Sequence, residues 1–149
     1  AGKRDFASIT IEKSHDERAG GILPQSAGVF AENDISIEHM PSGIDTLTFF
    51  VHQDEFEEKE QKVIAGIHRA VEPDLVELES DLALIAVVGR GMKEQEELGA
   101  HLSALAHANV NVKMIDQGSS ELNIIIGVRN HDFDAAIRAI YDIFVTTQI

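Results

Sequence analysis

Cysteine and tryptophan are absent from this 149-residue chain, and proline occurs only three times. Without cysteine there is no disulfide framework, no Cys-based zinc site and no thiol nucleophile. Aromatic residues make up 5%, too few for the stacking platforms that hold single-stranded nucleic acid. Positive charge is scarce as well: 12 Lys and Arg stand against 26 Asp and Glu, a formal net charge of −14. Such a surface repels phosphate backbones and anionic membranes, so neither nucleic acid nor membrane is expected as a partner. No apolar run approaches the ~18 residues of a membrane span, and no signal-peptide pattern is present, so the expected setting is soluble and cytoplasmic. What is present is a hydrophobic fraction of 44%, enough to build a core. At ~100–200 residues per domain the length suits one ordinary domain or two small ones. The charge is uneven: residues 1–80 hold 7 basic and 17 acidic groups, net −10, and residues 81–149 hold 5 and 9, net −4.

An internal repeat decides the domain count. Ala7-Ser-Ile-Thr-Ile11 aligns with Leu82-Ala-Leu-Ile-Ala-Val-Val88 when Ile9 stands opposite Leu84, an offset of 75 residues. That offset also pairs Phe30 with Leu105, Ile35 with Val110, Ile37 with Val112, Gly43 with Gly118 and Leu47 with Leu122. Two units follow, 7–80 and 81–149, with a seam near Ser80-Asp81.

Both units read in one order. In the first, Ile9 and Ile11 alternate with polar residues as a half-buried strand does. The polar loop Ser14 to Gly21 leads to helical spacing from Ile22 to Asn33, with Pro24 tolerable only in the first turn. Ile35 to Met40 alternates again, Pro41 to Asp45 is a turn, and Leu47 to Val51 is a strand. Glu55 to Val71 places Phe56, Val63, Ile64, Ile67 and Val71 on one helical face, stopped by Pro73, and Leu75 to Leu78 closes the unit. In the second unit Leu82 to Val88 is a strand and Gly89 to Met92 a loop, with a helix over Glu94 to Asn109. Strands Val110 to Ile115 and Leu122 to Ile126 then flank the turn Asp116 to Ser120, and a helix covers Asp132 to Phe144. Val145 to Ile149 is short for a closing strand. The order βαββαβ predicts an α+β fold: two ferredoxin-like units in tandem, with antiparallel sheets and helices on one face.

Chemistry-bearing motifs are sparse. His101 and His107 lie about 240° apart on one helix and share no ligand face. His15 and His39 fall on a loop and a strand that could meet, beside Asp16 and Glu17, but no metal-ligand spacing such as HExxH accompanies them. Ser119-Ser120 has no recognisable base partner. Gly89-Arg-Gly-Met-Lys-Glu94 begins like a dinucleotide fingerprint, yet Glu94 occupies the third glycine's place and the fold is the wrong one. The acidic run Asp54 to Glu60 suits a helix N-terminus. Neither catalytic nor metal residues are therefore expected. The better binding geometry is a helix N-terminus after each first strand, able to receive a carboxylate, next to a second strand that ends in a small turn at Gly43 or Gly118. A zwitterion would place its carboxylate on the former and its ammonium on strand-edge carbonyls or acids; two ordinary loops are the bland alternative.

Ile9-Thr-Ile-Glu-Lys13, Ile35-Ser-Ile-Glu-His-Met-Pro-Ser-Gly-Ile-Asp45, Leu84-Ile-Ala-Val-Val-Gly89 and Val112-Lys-Met-Ile-Asp-Gln-Gly-Ser-Ser-Glu-Leu-Asn-Ile124 closely resemble the C-terminal regulatory region of aspartate kinases, a tandem of ACT domains. The Gln-Gly-Ser-Ser-Glu stretch is characteristic of the second ACT unit, and Gly2-Lys-Arg-Asp-Phe6 is similar to the lead-in to the first. The resemblance implies a role in amino-acid sensing. Aspartate kinase phosphorylates the aspartate side chain on the route to lysine, threonine and methionine, and lysine or threonine binds at ACT–ACT interfaces between subunits. Its catalytic domain carries a Lys-Phe-Gly-Gly-Thr-Ser motif that does not occur here. The chain then reads as a regulatory fragment without catalysis or cofactor of its own, ATP and Mg belonging to the parent enzyme and its kinase domain.

By the same resemblance, the effector site of the first unit uses the loop residues Asp16, Arg18, Ala19, Gly20 and Gly21, followed by Ile22 and Leu23. Opposite stand Ser36, Ile37 and Glu38, with Ser42, Gly43 and Asp45 from the next turn. Backbone groups of Ile22, Leu23 and Ile37 would hold the α-amino and α-carboxylate groups. Glu38 and Asp45 would receive an ε-ammonium, which puts lysine ahead of threonine. The second unit is assigned to packing and dimerisation, with Met92, Asn111, Gln117 and Ser119 as secondary site candidates. Its closing strand would come from the segment ahead of the first unit, of which Ala1 to Phe6 are present, and a homodimer is expected because exposed strand edges favour pairing. Two alternatives remain open: a free-standing ACT protein that regulates a separate partner, and an enzyme built on His15 and His39.

Overall fold

The computed structural model describes residues 2–14, 22–88, 94–117 and 123–147, the side chains of 88, 94–98, 117, 123 and 142–147 excepted. The chain divides into two compact units, Asp5–Ser80 and a second made of Ala1–Arg4 with Asp81–Ile149. The elements are β1 (Gly2–Glu12), α1 (Leu23–Glu32), β2 (Ile37–His39), β3 (Thr46–His52), α2 (Gln53–Glu57), α3 (Glu60–Val71), β4 (Leu75–Val88), α4 (Glu94–His107), β5 (Val112–Gln117), β6 (Asn123–Arg129) and α5 (Phe133–Thr147), the last preceded by a 3-10 turn at Asn130–Asp132.

In the first unit the strand order is β2-β3-β1-β4, with β1 antiparallel to β3 in the register Ala7↔Val51, Ile9↔Phe49, Ile11↔Leu47. These six residues share one face, and all are buried against Val29 and Phe30 of α1 and Val63, Ile67 and Val71 of α3. On the opposite face Thr10 and Thr48 pair through their hydroxyls at 3.0 Å. The second unit follows the same plan, β1-β4-β6-β5. Its core joins Ala83, Ile85 and Val87 of β4 to Ile124, Ile126 and Val128 of β6, under Leu105 of α4 and Ala136 of α5. Both orders are those of the ferredoxin-like fold, as the sequence predicts.

The repeat extends to local backbone detail. At the end of α1, Ile35 N–H donates to Phe30 O at 3.0 Å and Asp34 N–H to Ala31 O at 3.1 Å. At the end of α4, Val110 N–H donates to Leu105 O at 2.9 Å and Asn109 N–H to Ala106 O at 3.1 Å. Each is a Schellman motif, offset by 75 residues, with the apolar contact Phe30–Ile35 or Leu105–Val110 inside its core. The left-handed position belongs to Asp34 (φ 56) in one and Asn109 (φ 57) in the other. Glycine carries no Cβ penalty there, so Asp34→Gly or Asn109→Gly is expected to stabilise by up to ~1 kcal/mol, read as a raised urea midpoint. A lowered midpoint for both would contradict the strain account.

Three expectations need correction. Ile9 does not correspond to Leu84: Ile9 faces its core, whereas Leu84 is half-buried and Ile85 faces the second core. The first strands therefore align at an offset of 76, and a one-residue slip exchanges the two faces of a strand. Glu55–Val71 is not one helix, because Lys59 (φ −117, ψ 7) breaks it into α2 and α3. There Lys59 Nζ donates to Asn33 O at 2.6 Å, at the C-terminus of α1 where a cation is favoured. The last helix does not end at Phe144, since residues 145–147 continue α5.

The β-strand beside β4 in the second unit is Gly2–Arg4. Arg4 Nη2 pairs with Asp134 Oδ1 at 2.7 Å, and its guanidinium lies 4.8 Å from the centre of the Phe133 ring. A Cβ on residue 2 would stand 2.6 Å from a ring carbon of Phe133, so any side chain here would have to displace that ring. Both long strands pass between units at an aspartate with positive φ, Asp5 (67°) in β1 and Asp81 (58°) in β4. Aspartate tolerates that conformation better than most residues.

Candidate functional site

The start of α1 lacks a side-chain cap. Ile22 is its N-cap, Pro24 occupies the first turn, and Ser26 N–H already bonds to Ile22 O at 3.0 Å. Such a helix start leaves backbone donors for an outside acceptor. Ile22 and Ile37 both pack on the first core, so the helix start and β2 are anchored to one hydrophobic layer. Leu23, 38% exposed, is the first helical residue. The loop candidates Asp16, Arg18, Ala19, Gly20 and Gly21 lie outside the described residues, as do His15, Met92, Ser119 and Ser120.

On β2, the register with β3 shifts between Ile37 and His39, which pair with Val51 and Phe50. Glu38 sits at this irregularity and is exposed. Bulges of this kind re-aim a side chain relative to its strand. The second unit repeats the shift between Val112 and Met114 of β5, and its central residue is Lys113. The same backbone device thus presents a carboxylate in one unit and an ammonium in the other. Ser36 N–H donates to Glu55 Oε2 at 3.3 Å, which ties the entry of β2 to α2.

The following turn is well ordered by its own hydrogen bonds. Ser42 bridges to Leu47, and Gly43 N–H donates to Thr46 O at 2.9 Å. A Cβ on Gly43 would meet Thr46 Oγ1 at 2.5 Å, so a glycine closes this turn. Asp45 is exposed, and its carbonyl accepts the Lys13 N–H at 2.9 Å. The Lys13 side chain reaches away to the end of α3, donating to Val71 O at 2.7 Å and Glu72 O at 3.0 Å. Ser14 N–H bonds to Asp74 Oδ2 at 2.8 Å and Asp74 N–H to Glu12 O at 2.8 Å. The exit of β1 toward the loop is therefore pinned at Ser14.

Sequence reasoning missed His52, the last residue of β3. Its Nε2–H donates to Glu38 Oε1 at 2.8 Å, and its ring stacks on Phe6 with centroids 5.0 Å apart. No local signal marks it, since the pairing depends on the β2–β3 register. His101 is buried on α4 at 1% exposure, whereas His107 is exposed. His39 is half-buried, its ring 6.3 Å from Phe50. Among the described residues no three His, Asp or Glu side chains come together as a metal site, and no helix is long and apolar enough to cross a membrane. Asn111 is exposed just before β5, and Gln117 ends that strand.

Residues 85–144 match the ACT domain family. Among curated proteins, aspartokinase 3 of Bacillus subtilis is 36% identical over 93% of this chain, which spans 31% of that protein. Among solved structures, aspartate kinase of Clostridium acetobutylicum superposes with a TM-score of 0.90 at 37% identity, covering 98% of this chain and 34% of its own. The aspartokinase III of E. coli in complex with lysine and aspartate superposes with a TM-score of 0.73 at 19% identity, over 95% of this chain and 32% of its own, a likeness of fold alone. The chain thus spans about a third of the length of each of these proteins.

Proposed function

We propose that this chain is the non-catalytic, ACT-fold regulatory part of an aspartate kinase and binds an end-product amino acid, lysine first and threonine second, for feedback control of aspartate phosphorylation; the ACT match over residues 85–144 and the likeness to the aspartate kinases of Bacillus subtilis and Clostridium acetobutylicum support this reading. ATP and Mg would serve the kinase domain and not these residues. The first unit would bind the effector, and the second would pack and pair with another copy.

The observation that carries lysine is the charge at the bulge. Glu38 of the first unit offers a carboxylate where the second unit has Lys113, so only the first is suited to a cationic side chain there. The uncapped start of α1 at Ile22 and Leu23 would take the α-carboxylate, and Asp45 would add a second acid. Inhibition then requires the effector to bind an inactive arrangement more tightly than the active one, by a coupling of ~1–3 kcal/mol.

Calorimetry of the chain against lysine, threonine and methionine tests this reading. Saturable binding of lysine, tighter than threonine and methionine, is expected. If none of the three binds at millimolar concentration, the sensing role fails for this chain.

A further inference from the structure

Resting on the lysine reading above, we propose that His52 is a specificity-determining residue, an internal cation that competes with the effector's ε-ammonium for Glu38. Three observations carry it. The His52 imidazole already donates to Glu38 Oε1 at 2.8 Å. The ring is held there by its stack on Phe6, itself 3% exposed. Both partners remain solvent-accessible, with side chains 32% and 39% exposed, so an incoming ammonium can displace the imidazole.

Competition of this kind depends on pH. A protonated imidazole opposes the ammonium more strongly than a neutral one. The other charged or titratable groups on the elements adjoining His52 are Lys3, Arg4, Asp5 and Glu12 on β1, Glu38 and His39 on β2, and Asp54, Glu55 and Glu57 on α2. Lysine itself keeps its charges across the window from about pH 8 to about pH 5.5. Affinity for lysine should therefore fall as the solution is acidified. An exposed ion pair of ordinary strength makes that fall about two- to fivefold. Norleucine, which lacks the ε-ammonium, should show no such fall.

The test is calorimetry of the full chain with lysine and norleucine at both pH values, on the native protein, His52→Gln and His52→Asn. Glutamine keeps a neutral donor near Glu38, and asparagine provides a second variant should the first fold poorly. The expected result is native lysine binding that weakens about two- to fivefold on acidification, and variants that bind at both pH values at least as tightly as the native protein does at pH 8. Lysine binding that is unchanged by pH, or that keeps its pH dependence in both variants, would overturn the role of His52 and leave the lysine reading standing. Norleucine weakening in parallel with lysine would overturn it too, since the competition would not be for the ammonium. Absence of lysine binding at either pH would overturn both readings together.

Discussion

Truncating Phe30 to alanine is expected to lower the unfolding free energy by about 3–5 kcal/mol. Phe30 is fully buried and its ring lies 4.6 Å from that of Phe49, tilted by 37°. It fills the space between α1, β3 and α3, and it is also the residue whose carbonyl receives the Schellman bond from Ile35. The loss has two parts: the transfer term of the removed ring, and the cavity left when rigid neighbours relax only partly. The aromatic pair adds ~0.5–1.5 kcal/mol beyond area. A small domain has about 5–15 kcal/mol in all, so the change removes a large share of it. Leu105→Ala, at the equivalent position, should cost ~2–5 kcal/mol. Tyr141→Ala, at a residue 64% exposed, should stay within ~0.5 kcal/mol and serves as the control. Urea denaturation measures all three. A loss at Phe30 under about 1.5 kcal/mol would mean that the first core collapses around the gap and is not close-packed as described.

Glu38→Gln is the substitution with the largest expected effect on binding. A hydrogen bond to a charged group is worth ~1.5–3 kcal/mol, so lysine affinity should fall by roughly 10- to 150-fold. Glutamine retains an oxygen that can accept the His52 N–H, so the change removes charge while keeping that partner. Threonine has no second ammonium, and its affinity should move by less than about threefold. Calorimetry on both proteins with both amino acids provides the comparison. An equal loss for lysine and threonine would remove the case for lysine and point to a general disturbance of β2. Stability should change little, because Glu38 is exposed and its histidine partner is only half-buried.

Much of the architecture was legible because it rests on local physics. The alternation at Ile9 and Ile11, the helical faces of α3 and α5 and the stop at Pro73 depend on neighbours a few residues away. So does the duplication, which places Phe30 and Leu105, or Ile37 and Val112, at equivalent points of two units. The bulge itself was not: the offset pairs Ile37 with Val112, but the register shift that follows, at Glu38 in one unit and at the oppositely charged Lys113 in the other, shows only in the strand pairing. That inversion gives part of the first unit's acidity a candidate role, while acidic residues such as Asp54, Glu55 and Glu60 belong to first turns of helices.

The sequence by itself determined a βαββαβ unit and a βαββα repeat of it, the apolar positions within them, the absence of thiol chemistry and the acidic character of the first β2. Only the tertiary structure decided which residues meet across strands. It paired Glu38 with His52, gave Gly2–Arg4 to the second unit through Arg4, Asp134 and Phe133, and aligned Ile9 with Ile85 in place of Leu84. The physical reason is common to all three. Local propensity specifies that a segment is extended and which of its faces is apolar, but register and strand partners are set by the opposite strand, and that information lies far away in the chain.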